Sequence, residues 1–327
     1  MEKRTLGRTG RDVGVVGLGA WQLGGDWGEV DESDALAVLN SAVEGGVTFI
    51  DTADVYGDGR SERLVGQLLR QHPDAGLTVA TKMGRRVEQI PPNYNLDAFR
   101  AWNDRSRENL GVDTIDLVQL HCPPTEVYST DAVFDALDTL VQERRVAAYG
   151  VSVETCAEAL TAIARPNVAS VQIILNAFRL KPLDEVLPAA EQAGVGIIAR
   201  VPLASGLLSG KYDENTTFGA DDHRNYNRRG EAFDVGETFS GVDFGTGLEA
   251  VKRLIPVVPE GATMAQFALR WILDQPGVSV VIPGARNPEQ VRGNLGAAAL
   301  APLTEGQSKV VQTVYDELIR PQIHDRW

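Results

Sequence analysis

The chain has 327 residues, of which 43% are hydrophobic and 23% are charged, and its formal net charge is −14. This acidic balance argues against nucleic acid or an anionic membrane as a partner, and two cysteines are too few for a disulfide framework. The polar N-terminal segment lacks an apolar signal core and the apolar runs are short, so we expect a cytoplasmic protein without a membrane span.

Compact apolar runs, which are typical of strands buried on both faces, alternate along the chain with amphipathic segments. Strands are predicted at residues 13–19, 47–51, 78–82, 115–121, 146–152, 168–175, 195–201 and 278–283. Helices are predicted at residues 33–44, 61–70, 131–143, 154–164, 184–192, 263–274 and 288–295. This alternation indicates a parallel sheet, and eight strands over this length favour a closed (β/α)8 barrel over an open doubly wound sheet.

Two further segments complete the predicted architecture. The opening TLGRTGRDVGVVG has a glycine-containing turn between two short β-prone pieces, so we expect an N-terminal β-hairpin before the barrel. The polar segment 212–245, between the last two strands, is too long for a simple connector and is predicted to be a functional loop. No linker divides the chain, so residues 1–327 are predicted to form a single domain.

Several familiar sequence motifs are absent. Gln22 replaces the third glycine of a dinucleotide-binding G-x-G-x-x-G fingerprint, and SGLLSGKY is one residue short of a phosphate-binding P-loop. GVSVE has Glu154 where a nucleophile elbow requires glycine. The four histidines are scattered without metal-ligand spacing, so no metal site is predicted.

Polar residues stand at the C-terminal ends of predicted strands, where barrel enzymes carry their chemistry. Asp51, Lys82 and His121 end three consecutive strands, and Tyr56 follows Asp51 in a loop. Each alone has a structural explanation, such as a helix cap for the aspartate or packing for the tyrosine. Together they are coherent, because a buried lysine lowers a phenol pKa, a carboxylate holds that lysine and a histidine orients a carbonyl oxygen. The set predicts proton transfer to a carbonyl group without a metal.

The chain resembles the aldo-keto reductases in the strand that ends at Lys82 and in four segments, FIDTADVYGDGRSERLVG, VQLHCPP, PLASGLLSGKY and VIPGARNPEQVRGNLGA. The similarity is greatest to the bacterial branch related to potassium-channel β-subunits and inositol-stress reductases. The resemblance implies a TIM barrel that uses NADPH to reduce an aldehyde or ketone. It also implies that Tyr56 is the general acid, that Lys82 and Asp51 tune it, and that His121 orients the substrate.

The resemblance further implies a dinucleotide site along the following strands. Ser152 and Gln172 match ligands of the nicotinamide carboxamide, whereas Val153 and Arg200 replace the asparagine and the aromatic ring usual in the family. A guanidinium can stack on the nicotinamide, but its charge repels the oxidised ring and so favours the reduced cofactor. The residues that match the family's pyrophosphate loop are Pro202, Leu203, Ser205, Gly206, Leu208 and Lys211.

The adenosine end of the cofactor is assigned to the segment after the last strand, namely Gly284, Arg286, Gln290 and Asn294. A helix that begins here suits a phosphate, and Arg286 is the natural partner of an adenosine ribose phosphate. Many relatives carry additional basic residues at positions 284 and 290, which this chain lacks. NADP(H) is therefore the predicted cofactor, with NAD as the alternative.

The substrate is predicted to be a small-molecule carbonyl compound, with Trp21 and Trp27 assigned to its pocket. The sequence leaves the identity of this compound and the oligomeric state open. Two rival hypotheses remain: a cofactor-binding regulatory subunit that senses redox state with little turnover, and a non-redox barrel such as an isomerase or aldolase. Only the last of these predicts that no nicotinamide binds.

Overall fold

The computed structural model, which describes residues 1–24 and 30–327, has an N-terminal hairpin followed by eight parallel strands. The hairpin pairs β1 (Lys3–Thr5) with β2 (Asp12–Gly14). The parallel strands are β3 (Leu18–Gly19), β4 (Phe49–Asp51), β5 (Thr78–Met83), β6 (Leu117–His121), β7 (Tyr149–Ser152), β8 (Val168–Ile174), β9 (Gly196–Arg200) and β10 (Val278–Val281). They neighbour one another in chain order, and a parallel bridge between Val16 and Val281 joins the two ends. The predicted barrel and hairpin are confirmed.

Helices cover the outside of the barrel. They are α1 (Glu32–Glu44), α2 (Arg60–Gln71), α3 (Leu96–Leu110), α4 (Asp131–Gln142), α5 (Cys156–Ile163), α6 (Val186–Ala193), α7 (His223–Tyr226), α8 (Phe244–Leu254), α9 (Met264–Leu273), α10 (Pro288–Leu295), α11 (Glu305–Val314) and α12 (Arg320–Ile323). The seven helices expected from sequence lie within about two residues of these bounds. None of the helices in the described part of the chain has the length and apolar character needed to cross a bilayer.

Five of the described helices, α3, α7, α8, α11 and α12, were not predicted from the sequence, and one predicted strand needs correction. Helix α3 was missed because its inward face is sparse: Asn103 and Ser106 are buried there beside Phe99 and Leu110, which weakens the apolar pattern. The predicted strand 13–19 is two strands, since its first residues pair antiparallel in the hairpin and its last two join the barrel. An apolar run shows that a segment is buried, but it does not show that the segment changes partner midway.

The hairpin closes the N-terminal end of the barrel. Leu6 and Val13 are fully buried and join an interior cluster with one residue from each of five strands and one residue after β10, namely Phe49, Ala80, Leu117, Ile198, Val280 and Ile282. Gly7, at a φ of 46°, lies so close to the backbone of Gly196 that a side chain would overlap it. The C-terminal end of the barrel is therefore the end left for a ligand.

We predict that Leu6→Ala lowers the free energy of unfolding by about 2–5 kcal/mol, because it opens a cavity in this interior cluster. Ile255→Ala is the control, since Ile255 is 50% exposed and its truncation leaves no cavity. Urea denaturation of both variants measures the difference. Equal effects of the two substitutions would show that the hairpin does not contribute to the barrel core.

Candidate active site

The four predicted side chains meet at the C-terminal ends of β4, β5 and β6. Lys82 Nζ forms a buried ion pair with Asp51, donates to Thr52 O at 3.0 Å and lies 3.3 Å from Tyr56 Oη. The rings of Tyr56 and His121 meet edge to face, with their centroids 5.9 Å apart. The structure thus brings together a phenol, an ammonium group, a carboxylate and an imidazole.

Burial controls the protonation of this group. Burial raises the pKa of the Tyr56 phenol above its usual value, and the opposing effect of the Lys82 cation does not cancel it. Burial acts to lower the pKa of Lys82, but Asp51 and Tyr56 outweigh it and the pKa is raised. Burial, aided by nearby cations, holds the pKa of His121 well below its usual value. The group therefore consists of a protonated phenol, a charged lysine and a neutral imidazole at neutral pH, whereas the sequence analysis expected a net lowering of the phenol pKa.

Two glutamines also hold the Asp51 carboxylate. Gln172 Nε2 donates to Asp51 Oδ2 at 2.7 Å, and Gln119 Nε2 donates to the same oxygen at 3.2 Å. Gln172 was expected as a cofactor ligand and Gln119 was missed. The sequence could have identified Gln119, because it stands two positions before His121 and alternate residues of a strand face the same side. Three side chains, Lys82, Gln119 and Gln172, thus donate to the buried Asp51 carboxylate and satisfy its oxygens.

A second buried charge cluster lies at the ends of β7 and β9. Arg200 donates to Glu154 Oε2 at 2.9 Å and to Val153 O at 2.9 Å, and it pairs with Glu237 Oε1 at 2.6 Å. Arg85 donates to Glu154 Oε1 at 3.2 Å. Arg85, Glu154 and Glu237 were not among the predicted site residues. Two carboxylates balance Arg200, so its net repulsion of an oxidised nicotinamide is weaker than that of an unpaired guanidinium.

A cleft of about 1350 Å³ opens over these two clusters. Tyr56, His121 and Asp51 line it, and so do twelve of the thirteen predicted cofactor residues: Ser152, Gln172, Arg200, Pro202, Leu203, Ser205, Gly206, Lys211, Gly284, Arg286, Gln290 and Asn294. Leu208 does not line the cleft, because its side chain is buried in the hydrophobic core. Trp21 lines the cleft, and Trp27 lies outside the described residues.

The segment after β9 has the backbone of an anion cradle. Ala204, Ser205 and Gly206 have φ angles of 46°, 53° and 98°, so the chain turns tightly along the cleft wall. A Cβ at Gly206 would overlap the Tyr212 hydroxyl, which restricts this position to glycine. The Ser205 hydroxyl donates to Glu237 O at 2.9 Å and accepts from the backbone of Phe239, so its backbone is the part left for a ligand.

The start of α10 forms the far wall of the cleft. Asn287 caps this helix by accepting from Gln290 N at 2.9 Å, and the exposed Arg286 directly precedes the cap. A side chain at Gly284 would overlap the Gln22 amide, which would have to move to make room for it. A helix N-terminus beside an arginine suits a phosphate, so the volume, the turn and the helix together fit a dinucleotide.

Aromatic residues form the wall beside Tyr56. The Trp21 ring is stacked near Tyr56 at 6.1 Å between centroids and contacts Phe233 at 5.9 Å. Phe233 belongs to the long segment expected to be functional, which also contributes Glu237 to the charge cluster. The amide of Asn176 donates to Ser240 Oγ at 2.8 Å and holds the end of this segment on the barrel. Residues of the segment 212–245, which was predicted to be a functional loop, therefore line the cleft.

Comparisons with known proteins cover nearly the whole chain. The model of the aldo/keto reductase family matches residues 15–316. An uncharacterised oxidoreductase of Bacillus subtilis (strain 168) is 31% identical over 317 residues, 96% of each chain. The glycerol dehydrogenase structure from Gluconobacter oxydans has a TM-score of 0.77 at 30% identity, covering 96% of this chain and 94% of that one. An aldo-keto reductase from Klebsiella pneumoniae, solved in complex with NADPH, has a TM-score of 0.70 at 22% identity and covers 96% of each.

Asp54 is a buried carboxyl group between Asp51 and Tyr56 in sequence. It is 1% exposed, and neither of its carboxyl oxygens has a hydrogen-bond partner among the described residues. Burial, together with the neighbouring Glu62, raises the pKa of Asp54 to about 7, although Arg86 and Arg105 oppose the rise. The folded protein therefore holds a proton here in a pH range where the unfolded chain has released it.

We predict that Asp54→Asn removes a pH dependence of stability. The wild-type protein loses stability as the pH rises from about 4 towards about 7, because a carboxyl with a raised pKa must give up its proton in the fold. Relative to wild type, the variant should gain about 3 kcal/mol between pH 5 and pH 8, measured by urea denaturation. Asp74→Asn, at an exposed position, is the control. Parallel stability curves for wild type and Asp54→Asn would contradict the assignment.

Proposed function

The chain belongs to the aldo/keto reductase family, and we propose that it uses NADPH to reduce an aldehyde or ketone to the alcohol. The observation that carries the proposal is the contact of Lys82 Nζ with both Asp51 and Tyr56 Oη under the cleft. A buried ammonium group 3.3 Å from a phenol stabilises the phenolate that remains after the phenol has donated its proton. This arrangement suits proton transfer to a developing alkoxide.

Each of the four residues has a different role in the proposed reaction. When bound, the reduced nicotinamide supplies the hydride that the carbonyl carbon accepts. Tyr56 donates its proton to the carbonyl oxygen, and Lys82 stabilises the resulting phenolate. The neutral His121 donates an N–H to the same oxygen and orients the carbonyl group. Asp51 keeps Lys82 charged and fixed in position, since burial alone would lower the pKa of this lysine.

The proposed cofactor site has two ends. The backbone of the segment from Pro202 to Gly206 holds the pyrophosphate, and Arg286 at the start of α10 holds the ribose phosphate that distinguishes NADPH from NADH. Ser152 and Gln172 lie at the opposite end, beside the catalytic group. The NADPH complex of the Klebsiella pneumoniae protein supports the choice of cofactor.

Two measurements test the proposal against its rivals. Fluorescence titration with NADPH separates a nicotinamide-binding protein from a non-redox barrel. Stopped-flow mixing of the NADPH complex with a reactive aldehyde then separates an enzyme from a regulatory subunit with little turnover. Oxidation of NADPH on the millisecond-to-second scale is expected, and binding without hydride transfer would favour the regulatory role.

We predict that Tyr56→Phe lowers turnover by about 10²–10⁴-fold, because it removes the proton donor and keeps the ring. NADPH affinity and melting temperature should hardly change. Lys82→Met should impair turnover similarly, but it should also lower the melting temperature because it leaves Asp51 buried without its cation. A wild-type chemical rate in Tyr56→Phe would show that the proton comes from another group.

We predict that Arg286→Ala weakens NADPH binding by about tenfold or more and affects NADH binding much less, because a charge-assisted contact to the extra phosphate is lost. Arg292→Ala removes the same charge from an exposed position of α10 that does not line the cleft, and it is the control. Fluorescence titration with both cofactors measures the effect. Equal losses for NADPH and NADH would show that Arg286 does not recognise the phosphate.

A further inference from the structure

We propose that Arg85 makes the site selective for oxo acids, by binding a substrate carboxylate next to the carbonyl group that is reduced. This inference rests on the proposed function, because it concerns the substrate of the same site. Arg85 follows β5 directly after Gly84, whose φ of 115° turns the chain at the mouth of the cleft. Its guanidinium thereby reaches the catalytic end of the cleft, which it lines together with Tyr56 and His121.

Arg85 lies immediately beside His121. Arg85 Nε donates to the backbone oxygen of His121 at 3.1 Å. Burial is the main cause that lowers the pKa of the His121 imidazole, and among nearby charges Arg85 contributes most, ahead of Lys82 and Arg200. A carbonyl oxygen between Tyr56 and His121 would therefore place an adjacent substituent of the substrate within reach of this cation.

The charge of Arg85 is also accessible, unlike that of the neighbouring cations. Lys82 is 1% exposed and paired with Asp51, and the Arg200 side chain is 8% exposed and held between two carboxylates. The Arg85 side chain is 20% exposed and pairs directly with Glu154 through Nη2, while the Glu237 carboxylate acts on it from a greater distance. Its Nη1 makes no hydrogen bond to the described residues, so a guanidinium edge is left to bind an anion.

The anion expected here is a carboxylate. A guanidinium pairs with the two oxygens of a carboxylate through parallel hydrogen bonds, which fixes both position and orientation. Glu154 already occupies one side of Arg85 and offsets part of its charge. Arg85 therefore suits a singly charged anion better than a phosphate. The rest of the substrate would pack on the aromatic wall formed by Trp21 and Phe233.

The test compares phenylglyoxylate with its methyl ester, because methylation removes the negative charge and keeps the ketone beside it. In the wild-type enzyme, kcat/KM with NADPH should be at least tenfold higher for the acid. Arg85→Gln should lower kcat/KM for the acid, mainly through KM, by about tenfold or more beyond any loss that it causes for the ester. Arg85→Lys should retain part of the preference.

Arg86→Gln is the matched control, because it removes the same charge from the next residue, which pairs with the exposed Asp58 and does not line the cleft. The inhibition constant of the unreactive phenylacetate gives a readout without turnover, and it should rise about tenfold in Arg85→Gln. Melting temperatures of the variants verify folding.

Three results would overturn the inference. They are a wild-type preference for the ester, an equal loss with acid and ester in Arg85→Gln, and an unchanged phenylacetate constant. The first would leave carbonyl reduction intact, and the second would assign Arg85 a structural role through His121 and Glu154. Failure to reduce any carbonyl compound, including benzaldehyde, would instead overturn the proposed function together with the inference.

Discussion

The buried ion pair between Lys82 and Asp51 is the interaction on which the proposed catalytic group depends. Each charge would be costly in this place alone, and the pair is stable because Gln119, Gln172 and the backbone of Thr52 satisfy the remaining donors and acceptors. Since the partners come from strands β4, β5, β6 and β8, the pair forms only when the barrel has closed. The fold therefore stabilises the lysine, and the lysine in turn stabilises the phenolate form of Tyr56.

The second buried charge cluster likewise joins residues that are remote in sequence, and it holds the long segment after β9. Glu237 reaches Arg200 from this segment, and Ser205 bonds to the backbone of the same segment, so residues far apart in sequence hold the cleft wall together. Arg85 and Glu154 continue the cluster to the mouth of the cleft. One consequence is an end of the cleft at which the charges of the described residues are numerous yet nearly balanced, with the partly exposed Arg85 guanidinium at the edge of the cluster.

The two ends of the barrel differ in their residues: one end is apolar, and the other carries the buried charges. The hairpin and the interior apolar cluster occupy the N-terminal end, whereas the buried charges lie at the C-terminal ends of the strands. Asp54, a buried carboxyl group, follows β4 in the same loop as Tyr56. Its raised pKa shows that a residue within the catalytic loop can cost stability as the pH rises.

The sequence by itself determined the barrel and the positions of Asp51, Tyr56, Lys82 and His121, because strand periodicity is local and parallel strands end at one edge. It missed helix α3, whose polar buried residues hide its periodicity, and it did not reveal that the run 13–19 changes partner. Only the tertiary structure decided which charges pair, as with Glu237 and Arg200, and whether burial or the lysine controls the phenol pKa. These outcomes depend on distances and burial between residues remote in sequence, which no local pattern encodes.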